Sequence, residues 1–315
     1  MKLFFTFILL TIITGDASNN LTLQLDGKTL DTIHHSKFTH RFLDETMIDE
    51  AALETYMLEL EKKVYKPPKN AYIGDDDEIV KETTGRKLDK TKFIDHFYTY
   101  YFSKKPSQIT IPVKYIYPTI DSELLISIRS KFISQYVTFF NSRNKERSHN
   151  IQLAAKAIDN TVIFPGEKFS FNKVVGKRTK KKGYLSAPVI VRGELSEGIG
   201  GGICQVSSTL FNAVDRAGVK IVERYSHSRK VPYVPPNRDA TVSWYGPDFT
   251  FKNPHNQPIL IRAKVYGGQL IIKVFSSNEL KSQLREVPSA PKALPKEVHS
   301  NEGHPHQLNA EERGN

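Results

Sequence analysis

The chain has 315 residues, 39% hydrophobic and 25% charged, and a formal net charge of +11. That length allows about two domains, the composition is that of a globular chain rather than a disordered one, and the positive balance favours polyanionic partners such as phosphate-bearing wall polymers. The sharpest basic cluster, residues 176–183 (GKRTKKKG), reads as a solvated loop; without interleaved aromatics or a binding motif it argues against nucleic acid.

In chain order, Lys2 precedes an apolar run from Leu3 to Ile13, followed by Gly15-Asp16-Ala17. A basic end, a short apolar core and a small-x-small exit predict a secretory signal over residues 1–17. The run falls short of the roughly 20 residues a membrane span needs, so no integral membrane span is expected after signal removal.

A strand is expected over 21–27. Helices are expected over 47–64, with Ile48, Ala51, Ala52, Met57 and Leu60 on one face, and over 88–102, with Phe93, Phe97 and Tyr100 facing a core. Pro67-Pro68 breaks the chain between them. Residues 109–118 read as a strand, and 119–133 as a third helix with Asp121 as a cap.

Further on, Ser148 is placed to cap a helix on which Ile151, Ala154, Ala155 and Ile158 follow helical spacing. Glycines then punctuate short β-prone runs up to Gly200. Val206, Leu210, Val214 and Ala217 form the apolar stripe of the next helix, which Gly218 stops. Strands are expected over 230–234, 240–245, 259–266 and 270–275. The prediction is an α+β chain: a small N-terminal α+β domain over 21–130, then a mainly antiparallel β-sheet domain with a central helix over 131–275. The polar, proline-dotted tail, 276–315, reads as disordered. Its histidines, His299, His304 and His306, are too loosely patterned to imply a metal, and no metal or cofactor is expected.

Cys204 is the one cysteine in the sequence. A leftover thiol in an exported protein suggests an intermolecular disulfide, a reactive group or a buried apolar residue. At the first turn of its helix, unpaired amides and the helix dipole favour thiolate. Gly200, Gly201 and Gly202 clear the approach for a substrate carbonyl and leave amides to face an oxyanion. A thiol nucleophile also needs a base and an orienting partner. His227, at an expected strand entrance, and Asp239, at the start of the next expected strand, are the candidates. An inert cysteine behind a tight glycine turn is the competing reading.

Around these residues the sequence resembles the VanW family of bacterial surface proteins. The matching text includes HNIQLAAKAIDNTVIFPGEKFSFNKVVG, GYLSAPVI, GIGGGICQVSSTLFNA, AGVKIVERYSHS, DATVSWYGPDFTFKN and PILIRAKVYGGQLIIKVF, together about residues 130–275. The preceding segments YKPPKNAYI, TTGRKLDKTKF and ITIPVKYIYP are similar, more weakly, to the peptidoglycan-binding domain often placed before a VanW domain.

The resemblance implies an extracytoplasmic, secreted or cell-wall-associated protein acting in cell-wall maintenance or antibiotic response. Peptidoglycan or an anionic wall polymer would be its partner. The family motif carries over onto Cys204, Gln205, His227 and Asp239, and implies no particular reaction. A cysteine–histidine–aspartate hydrolase or transpeptidase acting by acyl transfer is one expectation; a non-catalytic wall-binding module and a mixed-disulfide assembly factor are others. Asn150, Ser170 and Asn172, polar residues in the matching segments, are candidates to line the cleft, or else caps and turns. One departure is Pro236-Asn237, where the family has a glycine before the Arg-Asp pair. Asparagine tolerates the left-handed backbone such a turn needs.

Overall fold

The computed structural model describes residues 19–40, 47–191 and 194–294. The expected signal and the histidine-bearing end of the tail lie outside these residues. The fold is α+β, with antiparallel sheets and helices in both of two compact units. One unit comprises the chain through Ala71 together with Lys81–Asp121; the other comprises Tyr72–Val80 and the chain from Ser122 onward.

In the first unit the strand Asn20–Leu25 pairs antiparallel with Lys28–His34 and parallel with Ser107–Thr110. Helix α1 (Glu50–Val64) is capped by Asp49, whose carboxylate accepts from the Ala52 amide at 2.9 Å, and α2 (Lys90–Ser103) is capped by Asp89. The buried face of α1 is Leu53, Tyr56, Met57, Leu60 and Val64. It is rotated from the expected one, because the larger Leu53 and Tyr56 displace Ala51 from the core side. These residues meet Phe93, Phe97, Tyr100 and Tyr101 of α2 and Leu21 and Leu23 of the sheet. The strand expected over 109–118 is two, Ser107–Thr110 and Val113–Ile116. Pro112, which has no amide to donate, separates them.

The second unit is built on a four-stranded antiparallel sheet ordered Lys131–Phe139, Gln269–Ser276, Ile259–Tyr266, Thr161–Ile163. Helix α3 (Ser122–Ile128) is shorter than expected, and the residues after it form the first strand of this sheet. The signal for that strand was there. Ile133, Tyr136 and Phe140 are buried within a run of β-branched and aromatic residues that suits a pleated surface better than a helix.

Helix α4 (Lys145–Ile158) buries Ile151, Ala154, Ala155 and Ile158, as expected, but its cap is Asn144 rather than Ser148. After the short helix α5 (Phe171–Val175) comes the hairpin Ser186–Val191 with Glu194–Ile199, which leads into α6 (Ile203–Arg216). Val206, Leu210, Val214 and Ala217 are fully buried, and Gly218 adopts φ +81° just beyond the helix.

Two expected strands, over 230–234 and 240–245, are irregular apart from an isolated bridge between Tyr225 and Thr241. Pro232, Pro235 and Pro236 remove amides that a ladder would need within and just after the first of them. The sheet of this region is instead Lys168–Ser170, Thr250–Lys252 and Lys220–Glu223. After Ser276 the chain through Leu294 has no helix or strand, in keeping with its polar composition. It is nonetheless laid against the domain. Leu280 and Val287 are buried in the core, Arg216 donates to the Val287 carbonyl at 2.5 Å, and Tyr136 donates to that of Pro288 at 3.0 Å.

Candidate active site

The glycine run is a turn made from three different constraints. Gly200 and Gly202 take φ values of +90° and +102°, in the left-handed region that side chains disfavour. Gly201 has no such φ, but a Cβ there would lie 2.5 Å from the Pro188 carbonyl oxygen. Asn150, fully buried on α4, fixes the turn: it donates to the Leu185 and Gly201 carbonyls at 2.9 and 3.1 Å and accepts from the Leu185 amide at 2.8 Å. Gly202 is the N-cap of α6 and supplies no capping side chain. The positive end of the helix is therefore open where Cys204 stands, second in the helix.

Helix α6 is buried on nearly every face, including Gln205, Ser207, Ser208, Thr209 and Asn212. Buried polar groups must find partners, and here the partners carry the site. Ser207 donates to the Ala240 carbonyl at 2.5 Å, and Ser208 accepts from the Ala240 amide at 2.9 Å. Asn212 donates to the Arg238 carbonyl at 2.8 Å and accepts from the Arg238 guanidinium at 2.7 Å. Residues on both sides of Asp239 are thus fastened to the helix that carries Cys204. Asn237 adopts φ +64°, so asparagine does occupy the left-handed position just before the Arg-Asp pair.

The bridge between Tyr225 and Thr241 brings the two irregular segments together. His227 Nδ1 then lies 2.6 Å from Asp239 Oδ2, and the His227 backbone amide donates to the same oxygen at 2.6 Å. Both side chains are nearly inaccessible. The imidazole stands close enough to the Cys204 sulfur for the charges of the two groups to influence each other. Cys204 itself is half-buried, with Sγ 3.7 Å from Thr241 Oγ1 and 3.6 Å from the Val242 carbonyl oxygen. His227 and Asp239 sit on loops joined by that one bridge rather than on the regular strands expected for them.

The electrostatics form one coupled set. Burial alone would raise the Cys204 thiol, but the hydrogen bond and positive charge of His227 outweigh it and hold the thiol below its ordinary value. Burial opposes charge on His227 too, yet Asp239 and the Cys204 sulfur push it up to about 9. Asp239 follows the same pattern: burial raises it, and its two hydrogen bonds from His227 bring it below the usual carboxylate range. The three shifts run in the same sense, each favouring the charged form: thiolate, imidazolium and carboxylate.

The pair opens on a cleft of about 650 Å³. Gly200, Gly202 and Gln205 line it, whereas Gly201, Asn150, Ser170 and Asn172 do not appear among its described lining residues. Gln205 is buried, donates to Thr138 Oγ1 and the Phe139 carbonyl at 3.0 and 3.1 Å, and accepts from Arg147 at 2.7 Å. Ser170 caps α5 and donates to Asp248 at 2.6 Å; Asn172 donates to the Ser243 and Pro247 carbonyls. Those two residues shape the loop bearing Trp244 and Tyr245, which do line the cleft.

Arg147, Arg178 and Tyr233, also in the lining, escaped the sequence reading. Arg178 was folded into a basic run that looked solvated. The lysines at 180–182 take a separate exposed turn. Tyr233 is buried, and its hydroxyl is pushed well above its usual value by that burial and by the negative sulfur of Cys204. Among the described residues no group of three or more His, Cys, Asp and Glu side chains is placed to hold a metal ion.

The fold and cleft define an α+β protein of two units, the second carrying a cysteine–histidine–aspartate cluster at a helix N-terminus. The chain belongs to the VanW-like family. Residues 146–275 match that family, described as VanW like protein, and residues 19–110 match a family described as "Putative peptidoglycan binding domain". YoaR of Bacillus subtilis (strain 168), an uncharacterized protein, is 53% identical over 300 residues, covering 95% of this chain and 99% of YoaR. The vancomycin B-type resistance protein VanW of Enterococcus faecalis (strain ATCC 700802 / V583) is 30% identical over 136 residues, covering 41% of this chain and 49% of that protein. No solved structure matches. Membership in this family with a peptidoglycan-binding domain supports a cell-wall-related role. No described helix is long and apolar enough to cross a membrane.

Proposed function

We propose that this is an exported, wall-associated thiol enzyme that cleaves or transfers an acyl group at an amide bond of peptidoglycan. The observation that carries the reading is Cys204 and His227 lining one cleft, with His227 hydrogen-bonded to Asp239 behind it. The thiolate attacks the carbonyl carbon, and the oxyanion meets the amides of Gly202 and Cys204 at the start of α6. The His227 imidazolium gives its proton to the leaving amine as the C–N bond breaks, which leaves a thioester on Cys204 and a neutral imidazole. Water or a second amine then loses a proton to His227 while attacking the thioester, and the thiolate departs. Hydrolysis and transpeptidation differ only in that second nucleophile.

The test is incubation of purified sacculi with the wild type and with Cys204→Ala, reading new free amino groups and soluble fragments. Release by the wild type alone is the expected result; equal release, or none from either, sinks the enzyme. A second reading has its own support in the peptidoglycan-binding match over residues 19–110 and the net charge of +11. In it the chain is a non-catalytic module gripping peptidoglycan or an anionic wall polymer. Retention on sacculi that survives Cys204→Ser and weakens with salt, with no amine release, is its signature.

A further inference from the structure

We infer that the acyl donor is an acidic peptide, and that Arg178 holds its free carboxylate while the scissile carbonyl lies over Cys204. The inference rests on the thiol-enzyme reading of the same cleft. Its first support is charge. Among the described lining residues are Arg147, Lys177, Arg178, Arg229 and Lys230, and no aspartate or glutamate. The Cys204 sulfur offsets charge on Arg178, and a substrate with its own negative charge would offset the rest.

The second support is Arg178 itself. Both of its terminal nitrogens are buried without a hydrogen-bond partner. Burial works against its charge and lowers its pKa, and the sulfur of Cys204 is the foremost charge offsetting that effect. A buried charged donor left unsatisfied is costly, so an orphaned fork beside a nucleophile points to a ligand that completes it. The fold also makes room for this side chain. Its guanidinium lies 5.7 Å from the Phe171 ring centroid, and a Cβ at Gly200 would come within 3.3 Å of Arg178 Cβ. The first glycine of the run thus serves the arginine as well as the turn.

A planar guanidinium with both terminal nitrogens unpartnered matches a carboxylate in bidentate fashion. Phosphate would satisfy the same fork, but a phosphodiester has no acyl carbon for a thiolate to attack. The remaining walls, with Val189, Ile199, Val231 and the exposed Trp244 and Tyr245, suit a peptide. The cleft volume lies within the range of roughly 300–1,000 Å³ usual for small-ligand sites.

The experiment uses the full-length Cys204→Ala protein, which binds without reacting, in calorimetric titrations with three probes. These are N-acetylated L-Ala-D-Glu-L-Lys-D-Ala with free carboxylates, its fully amidated twin, and glycerol phosphate. The free peptide should bind at least tenfold more tightly than the twin. Adding Arg178→Gln should erase that preference, and Arg178→Lys should retain part of it. Equal affinity for both peptides, a preference indifferent to Arg178→Gln, or no binding of any probe overturns the inference. Glycerol phosphate binding as tightly as the peptide overturns it in favour of a phosphate polymer. If Arg178→Gln does not fold, as melting would reveal, the comparison of the two peptides on the parent protein still decides. No chemistry is needed for these titrations, so a failed sacculus assay leaves them standing. An active thiol without carboxylate preference sinks only this inference.

Discussion

Helix α2 of the first unit buries Phe93, Phe97, Tyr100 and Tyr101 on one face and leaves most of its other residues exposed. Helix α6 of the second unit has the same length but is buried around almost its whole circumference, polar residues included. The first arrangement needs only apolar area, since each such side chain gains about 1.5–3 kcal/mol by leaving water. The second requires every hydroxyl and amide to be met by a specific group in a specific place. What α6 gains from that demand is position: the groups that satisfy Ser207, Ser208 and Asn212 belong to residues 238 and 240. Aromatic packing holds a helix in a unit, whereas buried hydrogen bonds hold Asp239 and Cys204 in register.

The contrast breaks first at Asn212. Its side chain donates to the Ser208 and Arg238 carbonyls at 2.7 and 2.8 Å and accepts from Arg238 at 2.7 Å. Asn212→Ala leaves those partners unsatisfied in the interior and should destabilise the protein by about 2–4 kcal/mol. The matched change in the first unit is Thr99→Ala, where an exposed hydroxyl donates back to the Asp95 carbonyl at 2.9 Å. That bond competes with the helix rather than supporting it, so the change should stay within about 0.5 kcal/mol. Urea unfolding of both variants checks the pair, and equal costs would remove the distinction between the two helices.

The same contrast explains what the sequence disclosed. Period exposed α2, α4 and the stripe of α6, though not the caps of the first two, and the glycine–cysteine run with His227 pointed to residues that line the cleft. Polar residues on α6 gave no sign of burial, because Ser and Thr read as a solvent face unless their partners are known, and those partners lie some 30 residues away. Arg178 was hidden for the same reason: among lysines it looks solvated, and only the fold turns its guanidinium inward. The strand Lys131–Phe139 was lost because the helical pattern before it seemed to continue. The expected strand 230–234 failed where Pro232, Pro235 and Pro236 outvoted β-branched residues, and 240–245 keeps only the bridge from Thr241 to Tyr225.

The coupled pair offers a smaller, sharper effect. Asp239→Asn removes the carboxylate that helps to push His227 up to about 9. A weaker imidazolium stabilises the thiolate less, so alkylation of Cys204 should begin at higher pH and run about tenfold slower near neutrality, a change of about 1.4 kcal/mol. The wild type should alkylate below the free-thiol onset near 8.5. Stability follows with a definite sign. A histidine whose folded value exceeds its ordinary 6.5 contributes stability that is fully present below 6.5 and lost as pH rises through about 9. That loss should flatten in Asp239→Asn. Alkylation and melting measured across pH 5 to 10 (a range of roughly five units) read both; an unchanged onset would mean Asp239 only packs.

The smallest effect is expected where a polar contact stays wet. Lys63 Nζ lies 3.2 Å from Asp31 in the first unit, with the lysine side chain 51% exposed. Water screens that attraction and ordering a long side chain opposes it, so Lys63→Ala should cost no more than about 0.5 kcal/mol and less in high salt. Asp31 is not equally dispensable, because the largely buried Tyr56 donates its hydroxyl to the same carboxylate at 3.1 Å. Asp31→Ala should therefore exceed Lys63→Ala, and the excess should persist in salt because it comes from a phenol rather than an ion pair. Denaturant melts of both variants at low and high salt separate the two contributions. A salt-resistant loss in Lys63→Ala as large as that of Asn212→Ala would show that exposed and buried polar contacts carry equal weight here, and would remove the reason for assigning the placement of Cys204 and Asp239 to the interior of α6.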